Sequence, residues 1–134
     1  MSASDPAESS AIKTDTLHVL VVDDNHASAQ TLGWMIELLG YEVRLAHDSQ
    51  SALDAARDFL PQVVLLDIGL PGKSGYEVCE QMKKLPALQN TIFIAQTGWS
   101  QDEHRRRSQE AGFQHHLVKP VSLQTLEPIL ASIK

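Results

Sequence analysis

The stretch "LHVLVVDD", Leu17 to Asp24, decides how the chain is read. It is an almost unbroken apolar run rich in β-branched residues, the pattern of a strand covered on both faces. A helix is expected next, over about Ala27 to Leu39, because Ala29, Leu32, Ile36 and Leu39 recur at helical spacing and Gly40 stops it.

The alternation then repeats. "YEVRLA" reads as a second strand whose alternation suits a place nearer a sheet edge, and "SQSALDAARDF" as a second helix ended by Pro61. "QVVLLDI" reads as a third strand. "SGYEVCEQMKKL" reads as a third helix, with Val78, Met82 and Leu85 on one side and Cys79 beside them. "TIFIAQT" is a fourth strand, "SQDEHRRRSQEAG" a polar fourth helix ended by Gly112, "HHLVKP" a fifth strand and "SLQTLEPILASIK" a last helix. Pro128 inside that segment predicts a kink or a shortened helix.

Five strand–helix alternations with short connections imply an α/β fold, a parallel sheet with helices on both faces. Right-handed crossovers then give a doubly wound, flavodoxin-like sandwich of five strands and five helices. In such sheets the ligand site lies beyond the carboxyl ends of the strands, near the switch in strand order. Asp23 and Asp24 end the first strand, Asp67 the third, Thr97 the fourth, and Lys119 the fifth, just before Pro120. All five fall on the edge where chemistry is expected.

Composition narrows the function. The 134 residues suit one domain, and 43% hydrophobic with 21% charged residues is an ordinary globular mix. A formal charge of −6 argues against nucleic acid as a partner. The single cysteine, Cys79, leaves no internal disulfide framework and fits a reducing cytoplasm. No apolar run approaches the roughly 20 residues that span a bilayer. Residues 1–16 have no basic start and apolar core, so they read as a disordered tail or linker rather than a signal peptide, leaving 17–134 as the domain.

The strand-end residues have a common chemistry. Three carboxylates at one edge repel one another, and a hard divalent cation such as Mg²⁺ resolves the conflict with carboxylate, carbonyl and water oxygens. Lys119 supplies a compact positive charge and Thr97 a hydroxyl donor. Metal, ammonium and hydroxyl together suit in-line phosphoryl transfer onto a carboxylate.

With "VVDDN" (Val21–Asn25), "LLDIGLPGKSGYEV" (Leu65–Val78), "AQTG" (Ala95–Gly98) and "LVKP" (Leu117–Pro120), the chain resembles a response-regulator receiver domain of two-component signalling. The wording of "DIGLPG" and of "TGWSQDEHRRRSQEAGFQHHLVKPV" is most similar to receivers of hybrid histidine kinases. The resemblance implies Asp67 as phosphoacceptor. It implies Mg²⁺ held by Asp24 directly, by Asp23 largely through water, by Asp67 and by the Gly69 carbonyl. Thr97 and Gly98 would meet the phosphoryl group, Lys119 would pair with it, and Lys119–Pro120 would be a cis peptide. His116 stands at the switch position, where the family usually carries Tyr or Phe. The implied donor is a histidine kinase or a histidine phosphotransfer protein.

Taken singly, these residues have plainer explanations: Asp23 and Asp24 as helix caps, Lys119–Pro120 as a turn. They fail jointly, because independent caps need not gather at one edge of one sheet. "RRR" (Arg105–Arg107) reads as a solvated helix face and Cys79 as a small core residue. His115–His116 lacks the partners of a zinc site. Two other functions compete. A haloacid-dehalogenase-like phosphatase needs an aspartate two residues after its nucleophile, where this chain has Gly69. A receiver-like module that no longer takes phosphate is opposed by the intact Asp67, Thr97 and Lys119. No output domain is expected after the last helix, which suits a stand-alone regulator or a receiver cut from a hybrid kinase. Finally, Trp34 and Leu38 lie four apart on the first helix, off its core stripe, as a candidate partner face. The alternative is that Trp34 packs against the last helix. The sequence assigns no oligomeric state.

Overall fold

A computed structural model describes residues 16–70, 73–98, 106 and 109–133. The chain order is β1 (His18–Val22), α1 (His26–Leu38), β2 (Glu42–Ala46), α2 (Ser49–Phe59), β3 (Val63–Asp67) and α3 (Gly75–Lys83). A short 3₁₀ turn (Pro86–Leu88), β4 (Ile92–Thr97), α4 (described at 106 and 109–111), β5 (His115–Val118) and α5 (Leu123–Ile133) follow. All strand pairs are parallel, in the order β2-β1-β3-β4-β5. The direction of winding reverses between β1 and β3. The ends of those two strands, with Asp23 and Asp67, therefore flank the crevice where such sheets bind ligands.

Strand periodicity divides the core in two. Leu20, Val22, Val64, Leu66, Phe93 and Ala95 face one side, where Ala52, Leu53 and Ala56 of α2 and Val78, Cys79 and Met82 of α3 cover them. Val19, Val21, Val63, Leu65 and Ile94 face the other, beneath Ala29, Leu32 and Ile36 of α1 and Leu126 and Leu130 of α5. Central strands buried on both faces must be apolar throughout, which explains the unbroken run at Val19–Val22. Strand β2 lies at the edge and alternates exposed with half-buried residues, as its sequence predicts.

The structure adjusts several expected boundaries. Strand β1 stops at Val22, two residues early, because the Asp23 carboxylate turns back to accept from the Asn25 amide at 3.0 Å. The cap of α1 is Asn25, which accepts from the Ser28 amide at 3.0 Å, so neither Asp23 nor Asp24 plays that part. Asp48 and Ser74 form capping boxes at α2 and α3. Helix α5 runs unbroken through Pro128, and the expected shortening does not occur. Pro128 and Gln124 are both exposed, so the carbonyl that the proline leaves unpaired can meet water. The expected tail at 1–16 and the expected fourth helix at 100–112 fall largely outside the described residues.

Candidate functional site

Asp23 follows β1 with no exposed surface, Asp67 closes β3 almost fully buried, and Asp24 is exposed. Each offers an oxygen, and these oxygens lie within 4.8 Å of one another. Lys119 reaches in from beyond β5. Its Nζ donates to Asp67 Oδ2 at 2.7 Å and to Asp23 Oδ2 at 2.9 Å. The other oxygens are also engaged: Asp23 Oδ1 accepts from the Asn25 amide and Asp67 Oδ1 from the Gly69 amide at 2.9 Å. The two buried charges are tolerated at the strand ends because all four oxygens of Asp23 and Asp67 are hydrogen-bonded and one ammonium is shared between the two carboxylates.

Burial alone would lower the Lys119 pKa. Its hydrogen bonds to Asp67 and Asp23, and their charges, outweigh that and raise it above the usual lysine value. Three carboxylates and one ammonium leave two negative charges. A divalent cation cancels them, and an all-oxygen donor set suits a hard one.

Thr97 closes β4 beside Asp67. It is buried and sits one residue past Gln96, the register partner of Asp67. Its carbonyl accepts from the Lys119 amide at 2.7 Å, which fixes the start of the Lys119–Pro120 turn. That peptide is cis, as expected. Gly98 is exposed, with open space around it. A side-chain carbon at Gly69 would make only ordinary contact with Asp67 Oδ1, at 3.7 Å, so glycine leaves the approach to the carboxylate wide. A cleft of about 450 Å³ between α1 and residues 119–121 reaches Asp23 and Lys119.

Residues 19–131 match the response regulator receiver domain. The chain belongs to that family. It is therefore a phosphoacceptor signalling module of the two-component kind, and the phosphatase reading falls. The receiver is similar to the polar-differentiation response regulator DivK of Brucella ovis, with 32% identity over 108 residues, 81% of this chain and 88% of that protein. The chemotaxis protein CheY4 of Vibrio cholerae superposes with a TM-score of 0.83 at 26% identity, covering 89% of this chain and 99% of that one. A response regulator protein of Burkholderia pseudomallei, solved with a phosphorylated aspartic acid and a calcium ion, gives 0.77 at 27% identity, covering 88% and 66%.

The receiver's other expected residues lie apart from the acidic edge. His116 sits half-buried on β5 opposite Ala95, two places back from the Thr97–Val118 pair. Trp34 and Leu38 lie on the outer face of α1, 59% and 80% exposed, so Trp34 does not pack against α5 as a core residue. Cys79 is buried, its pKa pushed up to about 12 by desolvation, and its thiol donates to the Ala111 carbonyl. No helix among the described residues is long and apolar enough to cross a membrane.

Two contributors escaped the sequence reading. Gly75 opens α3 so close to the end of β3 that a side-chain carbon would lie 2.5 Å from the Asp67 carbonyl oxygen. His47, just past β2, hydrogen-bonds the Asp23 carbonyl. The strand-end rule that found the others applies to His47 as well.

Proposed function

We propose that Asp67 is the phosphoacceptor of this receiver, that Asp23, Asp24, Asp67 and the Gly69 carbonyl hold Mg²⁺, and that Thr97, Gly98 and Lys119 receive the phosphoryl group. The supporting observation is the Asp67 carboxylate at the strand edge, paired at 2.7 Å with Lys119 and within 4.8 Å of two further carboxylates. An oxygen of Asp67 attacks the phosphorus of a phosphohistidine. The P–N bond breaks, and the imidazole leaves with the electron pair and takes up a proton. Lys119 passes from the Asp67 oxygen to the oxygens of the arriving phosphoryl group, so its charge stays compensated throughout. The Thr97 hydroxyl donates to another phosphoryl oxygen, and the exposed Gly98 leaves room for that oxygen to approach. Bound Mg²⁺ supplies positive charge against the oxygens of the group in transfer.

The product is an acyl phosphate on the chain itself. Its hydrolysis is the only turnover in this reading, so the protein signals rather than processing a metabolite. The donor is a histidine kinase or a histidine phosphotransfer protein in the cytoplasm, docking near Trp34 and Leu38; nucleic acid takes no part, and the chain contributes no membrane segment. Residues 17–134 form the receiver and 1–16 a tail or linker. His116 replaces the usual aromatic switch residue with a smaller side chain.

The test is labelling by a small phosphodonor such as acetyl phosphate in Mg²⁺. Asp67→Asn has no nucleophilic carboxylate and should take no label, while its fold, read by circular dichroism, should persist. Label retained at the parent level would remove Asp67 from the role.

A further inference from the structure

His47 follows the last residue of β2, on the same edge of the sheet as the acidic cluster. Its Nδ1 lies 3.0 Å from the Asp23 carbonyl oxygen. A carbonyl can only accept, so Nδ1 carries the proton. The imidazole also stacks on that of His26, the first residue of α1, with centroids 3.7 Å apart and planes 15° from parallel. One ring thus ties down the chain where β1 ends and braces the ring where α1 begins. Asp23 and Asp24 ride on the segment between. The Asp23 amide is held separately, donating to the Ala46 carbonyl at 3.0 Å. The two rings do not form a metal site themselves, because their lone pairs lie in nearly parallel planes and do not converge on one ion.

We propose that His47 is a positioning residue for the acidic edge: by anchoring the Asp23 carbonyl and stacking on His26, it fixes the β1–α1 junction so that Asp23 and Asp24 present their oxygens to a single divalent cation. This rests on the reading of those aspartates given above. Groups that orient metal ligands from behind commonly change affinity without touching the ion. The effect belongs in cation binding, with little change in the transfer step once the cation is saturating.

The probe is Mn²⁺, its binding to the unphosphorylated full chain followed by loss of the free-ion electron paramagnetic resonance signal. His47→Leu keeps bulk and removes the donor; it should bind Mn²⁺ about tenfold more weakly. In metal-free protein it should also exchange the Asp23 and Asn25 amide hydrogens faster. Its labelling rate at saturating Mg²⁺ should stay within about twofold of the parent. His47→Asn places an amide N–H where Nδ1 was, and should restore binding to within about threefold. Should the leucine variant not fold, His47→Phe keeps the stack without the donor and makes the same comparison. Parent-like Mn²⁺ binding and amide exchange in the donor-less variant would overturn the proposal, and so would an asparagine variant as weak as leucine. A parent that binds Mn²⁺ but takes no label sinks the phosphoacceptor reading alone, and the Mn²⁺ comparison still decides the role of His47. A parent that binds no Mn²⁺ overturns both.

Discussion

Asp23 has no exposed surface yet carries a carboxylate, a combination that costs several kcal/mol unless the charge is paired. Lys119 is the pair, and it serves Asp67 as well. Its side chain is only 26% exposed, so solvent screens it weakly. Because its folded pKa is raised, its contribution to stability is whole below the unfolded value, about pH 10.4, and is lost as pH rises through the folded value. Lys119→Met should cost about 3 kcal/mol at neutral pH, the low end for a buried charge left without its partner. Urea denaturation would measure this. The deficit should shrink in saturating Mg²⁺, because a cation beside Asp23 and Asp67 compensates the same charges. It should also narrow above the raised lysine pKa, where the parent loses its ammonium too. A deficit indifferent to both Mg²⁺ and alkaline pH would mean that Lys119 acts through packing.

Helix α3 meets the site at the backbone of β3. Ser74 caps it, the Gly75 amide donates to the Ile68 carbonyl at 2.9 Å, and Gly75 lies against the backbone of Asp67 and Ile68. An alanine methyl there would sit 2.5 Å from the Asp67 carbonyl oxygen and 2.7 Å from the Ile68 Cα. Backbone cannot rotate away as a side chain can, so the strand end and the helix must part. Gly75→Ala should therefore cost about 1–3 kcal/mol, exceeding the helix-propensity gain of about 0.5–1 kcal/mol. It should also slow labelling, because the displaced atom belongs to Asp67. A variant as stable as the parent would show that α3 has room to shift. The sequence announced "S-G" at the start of a helix, but not that the glycine is a contact. Contacts between backbones leave no mark on hydrophobic periodicity. Helix α2, in contrast, matches its expected span of Ser49–Phe59, because Asp48 and Pro61 bracket it with local chemistry. Strand ends were less legible: β1 and β5 each stop short of their polar residues, whose oxygens and nitrogens turn toward the site.

At the scale of the molecule, the doubly wound parallel sheet and the acidic edge were legible, because the first follows from strand–helix alternation and the second from the rule of strand ends. What covers each helix was not, since an apolar residue off a core stripe can be buried by a neighbour or left to a partner. Trp34 illustrates the point. The sequence left it between packing on α5 and facing outward, and the structure exposes it on α1 with Leu38 one turn away. The inner face of the same helix is fully used, with Ala29, Leu32 and Ile36 in the core. Removing Trp34 should therefore barely touch the fold, within about 0.5 kcal/mol for an exposed position. Helix α1 begins beside Asp24, and at 1.5 Å per residue Trp34 lies about 12 Å along it from His26. A protein donor that brings its phosphohistidine to Asp67 can span that distance with a single helix, whereas acetyl phosphate cannot. If Trp34 anchors such a donor, Trp34→Ala should lower kcat/KM for transfer from the cognate kinase about thirtyfold, the effect of losing about 2 kcal/mol at an interface hot spot. Labelling by acetyl phosphate and the Tm should both stay near parent values. A fall in both transfer rates together with a loss of Tm would make Trp34 a packing residue after all. Unchanged transfer from the kinase would place the docking surface elsewhere on the receiver.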